Sequence, residues 1–512
     1  MLFSSYIFLF VFLPVTLVGF GLLSRWFGSR PAKAWLILTS LFFYGWWNPV
    51  YVILILLSML FNFWLGRRIG LTVRAGRSGG WLLFWGVTAN LLLLGYYKYA
   101  NFFVTNVNAV AGTHWTLAKI VLPLGISFFT FTQIAYLVDA SRGVVCEYDL
   151  GDFLLFITFF PHLIAGPILH HSEMMPQFKD PKTYHFQWEN LAVGLGIFSI
   201  GLFKKVVIAD GLSPHVTEVF NAAAAGNSLY CADAWAGTLS FTFQVYFDFS
   251  GYSDMAIALG RMFGIILPLN FNSPYKALNM VEFWRRWHIT LSRFLGDYVY
   301  TPLTFSRFLE KFVYIPLGGK RHGKFRRYAT VILTMGIAGL WHGAAWTFVL
   351  WGLFLGFCLG LNHFWRESWG SSARRWPLPA WLTGWASRLL TFFVVVLGMV
   401  LFRAVGMKAV GLVLEAMFGL GAGPAAGTPA LLRGKDWIWL VGLLAFVWFL
   451  PNAAQLFRDQ QPYPAVMKDG WSPRSAWQRW RMTPAWACLT GLLLAAAILS
   501  LSRAGEFLYY NF

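Results

Sequence analysis

Apolar residues fill this chain in long runs, separated by short polar or basic stretches. Runs of roughly 17 to 25 such residues are long enough to cross a bilayer as helices. Residues 5–23 form the first. The loop 25–33, with Arg25, Arg30 and Lys33, leads into runs at 34–47 and 51–65, which Asn48-Pro49 parts as a tight hairpin. A second loop, 66–80, carries Arg67, Arg68, Arg74 and Arg77. Basic loops stay in the cytoplasm, so both loops lie there and the N-terminus outside. Residues 81–103 then run outward and 118–138 return. The run 152–168 is interrupted by Pro161 and Gly166-Pro167 and reads as a broken or re-entrant helix. Such a break is tolerated at membrane depth only where the backbone is buried or lines a cavity. Helices follow at 190–209 and 232–249, the second leading through Asp248, Gly251 and Asp254 into a run to 267. Later helices fall at 389–401, 437–450 and 485–501, with a Gly/Ala/Pro-rich loop at 419–434 and a polar loop at 458–481.

The pattern predicts an all-α polytopic membrane protein of about ten to twelve transmembrane helices, with re-entrant and interfacial helices besides. No alternation of the outer-membrane barrel kind occurs. We expect one integral membrane domain over 1–512, with its core at 118–365 and peripheral helices at 1–104 and 389–512. Residues 1–5 hold no positive charge, and the apolar stretch continues to Leu23 without a small-residue cleavage site. A retained first helix is expected rather than a signal peptide.

Composition agrees with this. The 512 residues are 58% hydrophobic and only 12% charged, against about 25% charged in soluble domains. The net charge of +19 would suggest nucleic acid on a soluble chain. Here the basic residues sit in loops between apolar runs, so no nucleic-acid partner is expected. Cys146, Cys231, Cys358 and Cys488 are far apart and suggest neither a zinc site nor a disulfide framework.

Candidate chemistry lies where ionisable groups fall in apolar context. The run 328–364 reads as one helical hairpin and contains Gly339-Leu340-Trp341-His342-Gly343-Ala344-Ala345-Trp346. His342 is its one titratable side chain apart from Tyr328, Cys358 and His363. An imidazole at membrane depth is costly unless hydrogen-bonded, which makes it either a packed interface residue or a functional one. The surrounding Gly336, Ala338, Gly339, Gly343 and Ala344 would let backbones or a substrate come close. A second Trp-His pair stands in Glu282-Phe283-Trp284-Arg285-Arg286-Trp287-His288. Trp284, Trp287, His288 and Leu291 are spaced to share one face of an amphipathic helix. Two imidazoles beside tryptophans suggest a pocket with a neutral general base and a partner, suited to activating a hydroxyl toward an acyl carbonyl. No nucleophile elbow, H-E-x-x-H or Walker A motif occurs, nor does any His have an Asp five positions on. His170-His171 would diverge on a helix or strand, so no metal site is expected. Asp248 and Asp254 fit either helix caps around Gly251 or a proton relay in a transporter, the caps being the simpler reading.

These blocks together resemble the membrane-bound O-acyltransferase superfamily, and within it the membrane subunits of bacterial exopolysaccharide O-acetylation, the alginate type above all. The match rests on Phe159-Phe160-Pro161-His162-Leu163-Ile164-Ala165-Gly166-Pro167-Ile168, on 246–254 with Asn270-Phe271-Asn272-Ser273-Pro274-Tyr275, on 282–292 and on 339–346. Phe3-Ser4-Ser5 and the stretch 507–512 are also similar. The resemblance implies a central funnel open to the periplasm, with His342 the catalytic histidine and His288 the second functional one. It implies an acyltransferase of the bacterial inner membrane that moves an acetyl group from a cytoplasmic thioester, acetyl-CoA, toward a periplasmic acetyltransferase partner and a polysaccharide acceptor. Trp341, Trp284, Arg285, Glu282 and Asp254 are the further residues expected to line or orient the donor. No bound cofactor is expected. D-alanyl transfer to teichoic acid and a polytopic transporter remain as alternatives. The sequence departs from the family pattern in an apparent insertion at 301–313.

Overall fold

The computed structural model describes residues 1–118, 120–145, 149–301, 323–368, 379–421, 423–424, 430–460, 479–503, 505 and 508. The insertion beyond Thr301, Cys146 and, apart from Leu508, the stretch 507–512 lie outside the described residues. Every regular element described is helical. In chain order they are α1 (Leu13–Phe27), α2 (Ser29–Gly45), α3 (Val50–Arg74), α4 (Gly80–Leu94), α5 (Ala100–Ala111), α6 (Ile126–Ser141), α7 (Leu150–Thr158), α8 (Phe160–Leu163), α9 (His171–Lys179), α10 (Trp188–Phe203) and α11 (Asp210–Ala224). The long α12 (Cys231–Met262) and short α13 (Met280–Arg286) and α14 (Ile289–Leu295) follow. Then come α15 (Lys324–His342), α16 (Trp346–Ser368), α17 (Ala380–Arg403), α18 (Gly406–Met417), α19 (Gly434–Phe449), α20 (Ala453–Leu456) and α21 (Pro484–Ser500). Wider helical turns join α4 to α5 and α10 to α11.

Among the described residues, six helical stretches are long and apolar enough to cross a membrane: Phe8–Phe27, Val50–Arg74, Gly80–Ala111, Trp188–Ala224, Trp346–Ser368 and Ala380–Arg403. The protein is an all-α, multi-pass membrane protein. The other apolar runs form shorter or broken helices. The return helix expected at 118–138 begins only at Ile126, after Gly125 with φ +70°. The run 152–168 is broken as expected: α7 and α8 part at Phe159, and the freed Phe160 N–H donates to Ser40 Oγ at 3.1 Å. The helix expected to end at 209 instead continues to Ala224.

Asp248 and Asp254 correct a second expectation. Neither caps a helix end, because α12 runs unbroken through both and through Gly251. The glycine serves close approach instead: a Cβ on Gly251 would lie 2.7 Å from the Gly201 carbonyl oxygen of α10. In membranes such small residues let helix backbones meet, which outweighs the poor helix propensity of glycine.

The chain divides into two compact units. The first comprises Met1–Val206, Ser250–Leu269 and Ala453–Asn511. In it α1 packs on α2, α6 on both α3 and α4, and α21 on α10. A polar network crosses the α3–α4–α6 junction: Asn90 donates to Asn62 Oδ1 at 2.7 Å, Asn62 in turn to Gln133, and Ser58 to Gln133 at 2.9 Å. Amide side chains joined this way hold helices together where lipid supplies no hydrophobic drive. The second unit comprises Val207–Phe249 and Asn270–Asn452. Here α15 and α16 form a hairpin, α16 packs on α17 and on α13, and α18 lies against α11 and α17. Asp233 of α12 accepts the Leu431 and Leu432 N–H groups, each at 3.1 Å, and so pins the segment entering α19.

Candidate active site

The hairpin of the second unit carries the first histidine. Glycines set its close packing: a Cβ on Gly352 would stand 2.1 Å from the Met335 carbonyl oxygen, and one on Gly339 2.2 Å from that of Phe348. The turn at Gly343 and Ala345 leaves His342 as the last residue of α15. His342 is 4% exposed. Its ring lies 5.1 Å from that of Trp351 and 5.4 Å from that of Phe402, edge to face in both cases. Trp351 and Phe402 touch each other at 5.0 Å. An imidazole in a box of aromatic rings is shielded from water and fixed in orientation.

The second histidine sits where a helix was expected and is not found. The single amphipathic helix over 282–292 is broken into α13 and α14 at Trp287-His288, so the four residues expected on one face do not share one. His288 takes a left-handed backbone, φ 42° and ψ 54°. A non-glycine residue there costs about 1–2 kcal/mol, so its surroundings must hold it. They do so from the segment 270–272. Asn272 N–H donates to the Arg286 carbonyl and Ile289 N–H to the Asn270 carbonyl, each at 2.9 Å. Tertiary hydrogen bonds on both sides of the break replace those the helix gives up.

The Asn270 side chain fixes the chemistry of the ring. Its Oδ1 lies 3.3 Å from the Thr290 backbone nitrogen, 2.9 Å from Thr290 Oγ1 and 3.0 Å from His288 Nδ1. The backbone N–H can only donate, so the atom it meets is the amide oxygen, an acceptor. Nδ1 therefore carries the proton, and Nε2 holds the lone pair. No described residue offers Nε2 a hydrogen-bond partner, and His288 is fully buried. It lies outside the six spanning helices, and burial pushes its pKa down to about 3, keeping the ring neutral. The Phe249 ring stands edge-on at 4.7 Å.

Trp341 brings the two histidines together. Its ring lies 4.8 Å from that of His342 and 6.2 Å from that of His288. Trp284 packs 6.3 Å from Trp351, and the indole N–H of each is buried without a partner among the described residues. Glu282 serves the start of α13, accepting the Leu278 N–H at 2.9 Å and pairing with Arg286 at 2.8 Å. Arg285 is exposed. Asp254 belongs to the first unit, where it is ion-paired with Lys204 at 2.8 Å and both are buried. Trp351, Phe402 and the role of Asn270 escaped sequence reasoning. Asn270 stands inside one of the motif blocks, but nothing in its spacing points to His288.

A buried pair of imidazoles thus shares a tryptophan within a polytopic helical fold. Comparison with known proteins defines the class. The family model described as membrane-bound O-acyltransferase matches residues 114–308 and 303–402. A peptidoglycan O-acetyltransferase of Helicobacter pylori is 44% identical over 447 residues, 82% of this chain and 80% of its own. A probable alginate O-acetylase of Pseudomonas aeruginosa is 41% identical over 428 residues, 82% of this chain and 75% of its own. A teichoic acid D-alanyltransferase of Streptococcus thermophilus is 28% identical over 248 residues, 47% of this chain and 57% of its own. The chain belongs to the membrane-bound O-acyltransferase family, and the protein is an O-acyltransferase.

Proposed function

We propose that the protein transfers an acetyl group from a cytoplasmic thioester, acetyl-CoA, across the bacterial inner membrane for O-acetylation of an exopolysaccharide, through a periplasmic partner protein. The buried pair of imidazoles around Trp341 carries this reading. His342 acts as the base toward the acceptor hydroxyl. The oxygen attacks the acetyl carbonyl as its proton passes to His342; the C–S bond then breaks, and the thiolate takes that proton as it leaves. His288 positions the donor, and Trp341 and Trp284 line the site. The relatives of highest identity among those compared carry names of O-acetyl transfer to carbohydrate polymers. The D-alanyltransferase relatives are 28% and 27% identical over 47% and 54% of this chain, against 44% and 41% over 82% for the O-acetyl-transferring relatives, which favours acetyl over alanyl transfer. The ion pair between Lys204 and Asp254 supports a structural role for that carboxylate over a proton relay.

The test is His342→Ala in membranes supplied with labelled acetyl-CoA. We expect transfer to partner or polymer to fall by about 10²–10⁴-fold, the contribution of a general base. Parental rates at equal protein levels would remove His342 from the mechanism. Polymer exported without its acetyl groups would separate transfer from transport.

A further inference from the structure

A second histidine beside a thioester donor can position it or polarise it, and the two roles make different demands on Nε2. Polarising a thioester carbonyl takes an N–H. Positioning can also use a lone pair, provided the substrate brings a donor. Asn270 decides between them. Its amide oxygen is fixed by the Thr290 backbone N–H at 3.3 Å and faces His288 Nδ1 at 3.0 Å. The ring proton is held at Nδ1, and a lone pair points from Nε2 into a fully buried position with no partner among the described residues. A buried acceptor left unmade costs free energy, so this atom is built to meet a hydrogen-bond donor that arrives with a substrate.

We propose that Asn270 is a positioning residue that holds His288 as a hydrogen-bond acceptor, and that His288 Nε2 receives an amide N–H from the pantetheine-type arm of the thioester donor. The inference rests on the reading above, in which the single proton of the acceptor hydroxyl goes to His342. The N–H groups nearest the reacting carbonyl on the donor side are then those of the arm that bears the sulfur. Coenzyme A and the prosthetic arm of an acyl-carrier protein both have an amide two methylenes from sulfur, so both offer the chemistry His288 accepts. The left-handed backbone of His288 at φ 42° is part of the same device. The bonds from the segment 270–272 hold this strained residue and supply the oxygen that sets its tautomer.

The test compares acetyl-CoA with an analogue in which the amide N–H nearest the sulfur is replaced by an ester oxygen. The parental enzyme in proteoliposomes should prefer the amide roughly tenfold in kcat/KM for the donor, the effect of leaving one buried acceptor unmade. Asn270→Leu and His288→Asn should lose that preference, asparagine being chosen because it tolerates the left-handed backbone. Asn270→Asp keeps an acceptor oxygen and should keep the preference. Ring ¹⁵N resonances of His288 should show protonated Nδ1 and bare Nε2 in the parental protein, with tautomers mixed in Asn270→Leu. Equal use of the two donors by the parental enzyme, a proton found on Nε2, or an undiminished preference in Asn270→Leu would each overturn the proposal. Total loss of turnover with both donors in His288→Asn, at normal protein levels and melting temperature, would overturn it in favour of His288 as the base. The same pair of arms on an acyl-carrier protein distinguishes the two sources of donor. Failure of the parental enzyme to use any acetyl thioester would count instead against acetyl transfer itself.

Discussion

Replacing Gly352 by alanine should cost this enzyme far more activity than stability. The new Cβ would stand 2.1 Å from the Met335 carbonyl oxygen, 2.9 Å from its carbon and 3.1 Å from the Gly336 Cα. The obstacle is backbone, which cannot turn aside as a side chain can. Real Cβ contacts essentially never fall below 3.0 Å, so α15 and α16 must part by about 1 Å at this level. A gap of that size forfeits between a quarter and a half of each contact's dispersion energy. Over roughly twenty atom pairs at about 0.15 kcal/mol each, the loss is about 1 kcal/mol. Local strain brings the total to about 1–3 kcal/mol. Alanine returns about 1 kcal/mol through helix propensity, leaving a net cost of about 0–2 kcal/mol. Activity has no such compensation. His342 ends α15 and Trp351 stands on α16 beside Gly352, so a 1 Å opening separates the imidazole from the ring that boxes it. Misplacement by about 1 Å can slow a reaction 10²-fold. Acyl transfer in proteoliposomes, normalised to protein inserted, should therefore fall about 10²-fold while the melting temperature in detergent moves by a few degrees. Gly442→Ala and Gly491→Ala, where a Cβ meets nothing within 4 Å, provide the controls and should leave both unchanged or slightly raise stability. Full activity in Gly352→Ala would refute the argument that backbone contact in this hairpin sets the position of His342.

Two further outcomes follow from buried polar groups. Lys204→Met leaves the buried Asp254 carboxylate without its ion-pair partner and should cost about 3–5 kcal/mol, while the double variant Lys204→Met/Asp254→Leu should regain most of it. Detergent melting of the single and double variants decides this, and equal losses in both would contradict it. Asp233→Ala removes both acceptors from the Leu431 and Leu432 N–H groups and should cost about 2–3 kcal/mol. Faster limited proteolysis next to α19 should accompany that loss, and unchanged protection would show that the carboxylate does not pin this segment.

Part of the candidate site is legible in the amino-acid sequence. His342 stands out as an imidazole in an apolar run, its glycines announce close helix contact, and the hairpin follows from the length of the run. The break at His288 is not legible. Trp284, Trp287, His288 and Leu291 satisfy helical spacing, and local propensity has no means of opposing it. What opposes it is a segment some fifteen residues earlier in the chain, whose backbone bonds to Arg286 and Ile289 hold the two short helices apart. Gly251 misleads in the other direction: flanked by aspartates it looks like a helix end, yet it lies within α12, where the absent side chain admits the α10 backbone.

The order of apolar runs and basic loops determined by itself that this is an all-α membrane protein with a histidine inside a helical hairpin. Both follow from the cost of placing unpaired polar groups in lipid, which acts on composition and spacing alone. The tertiary structure decided which atom of the His288 imidazole is available. Trp341 joins residues 54 positions apart in the chain, and Asn270 places the His288 proton on Nδ1. A tautomer depends on which atom stands within 3 Å of the ring. Packing between distant segments sets that distance, and no periodicity in the sequence encodes it.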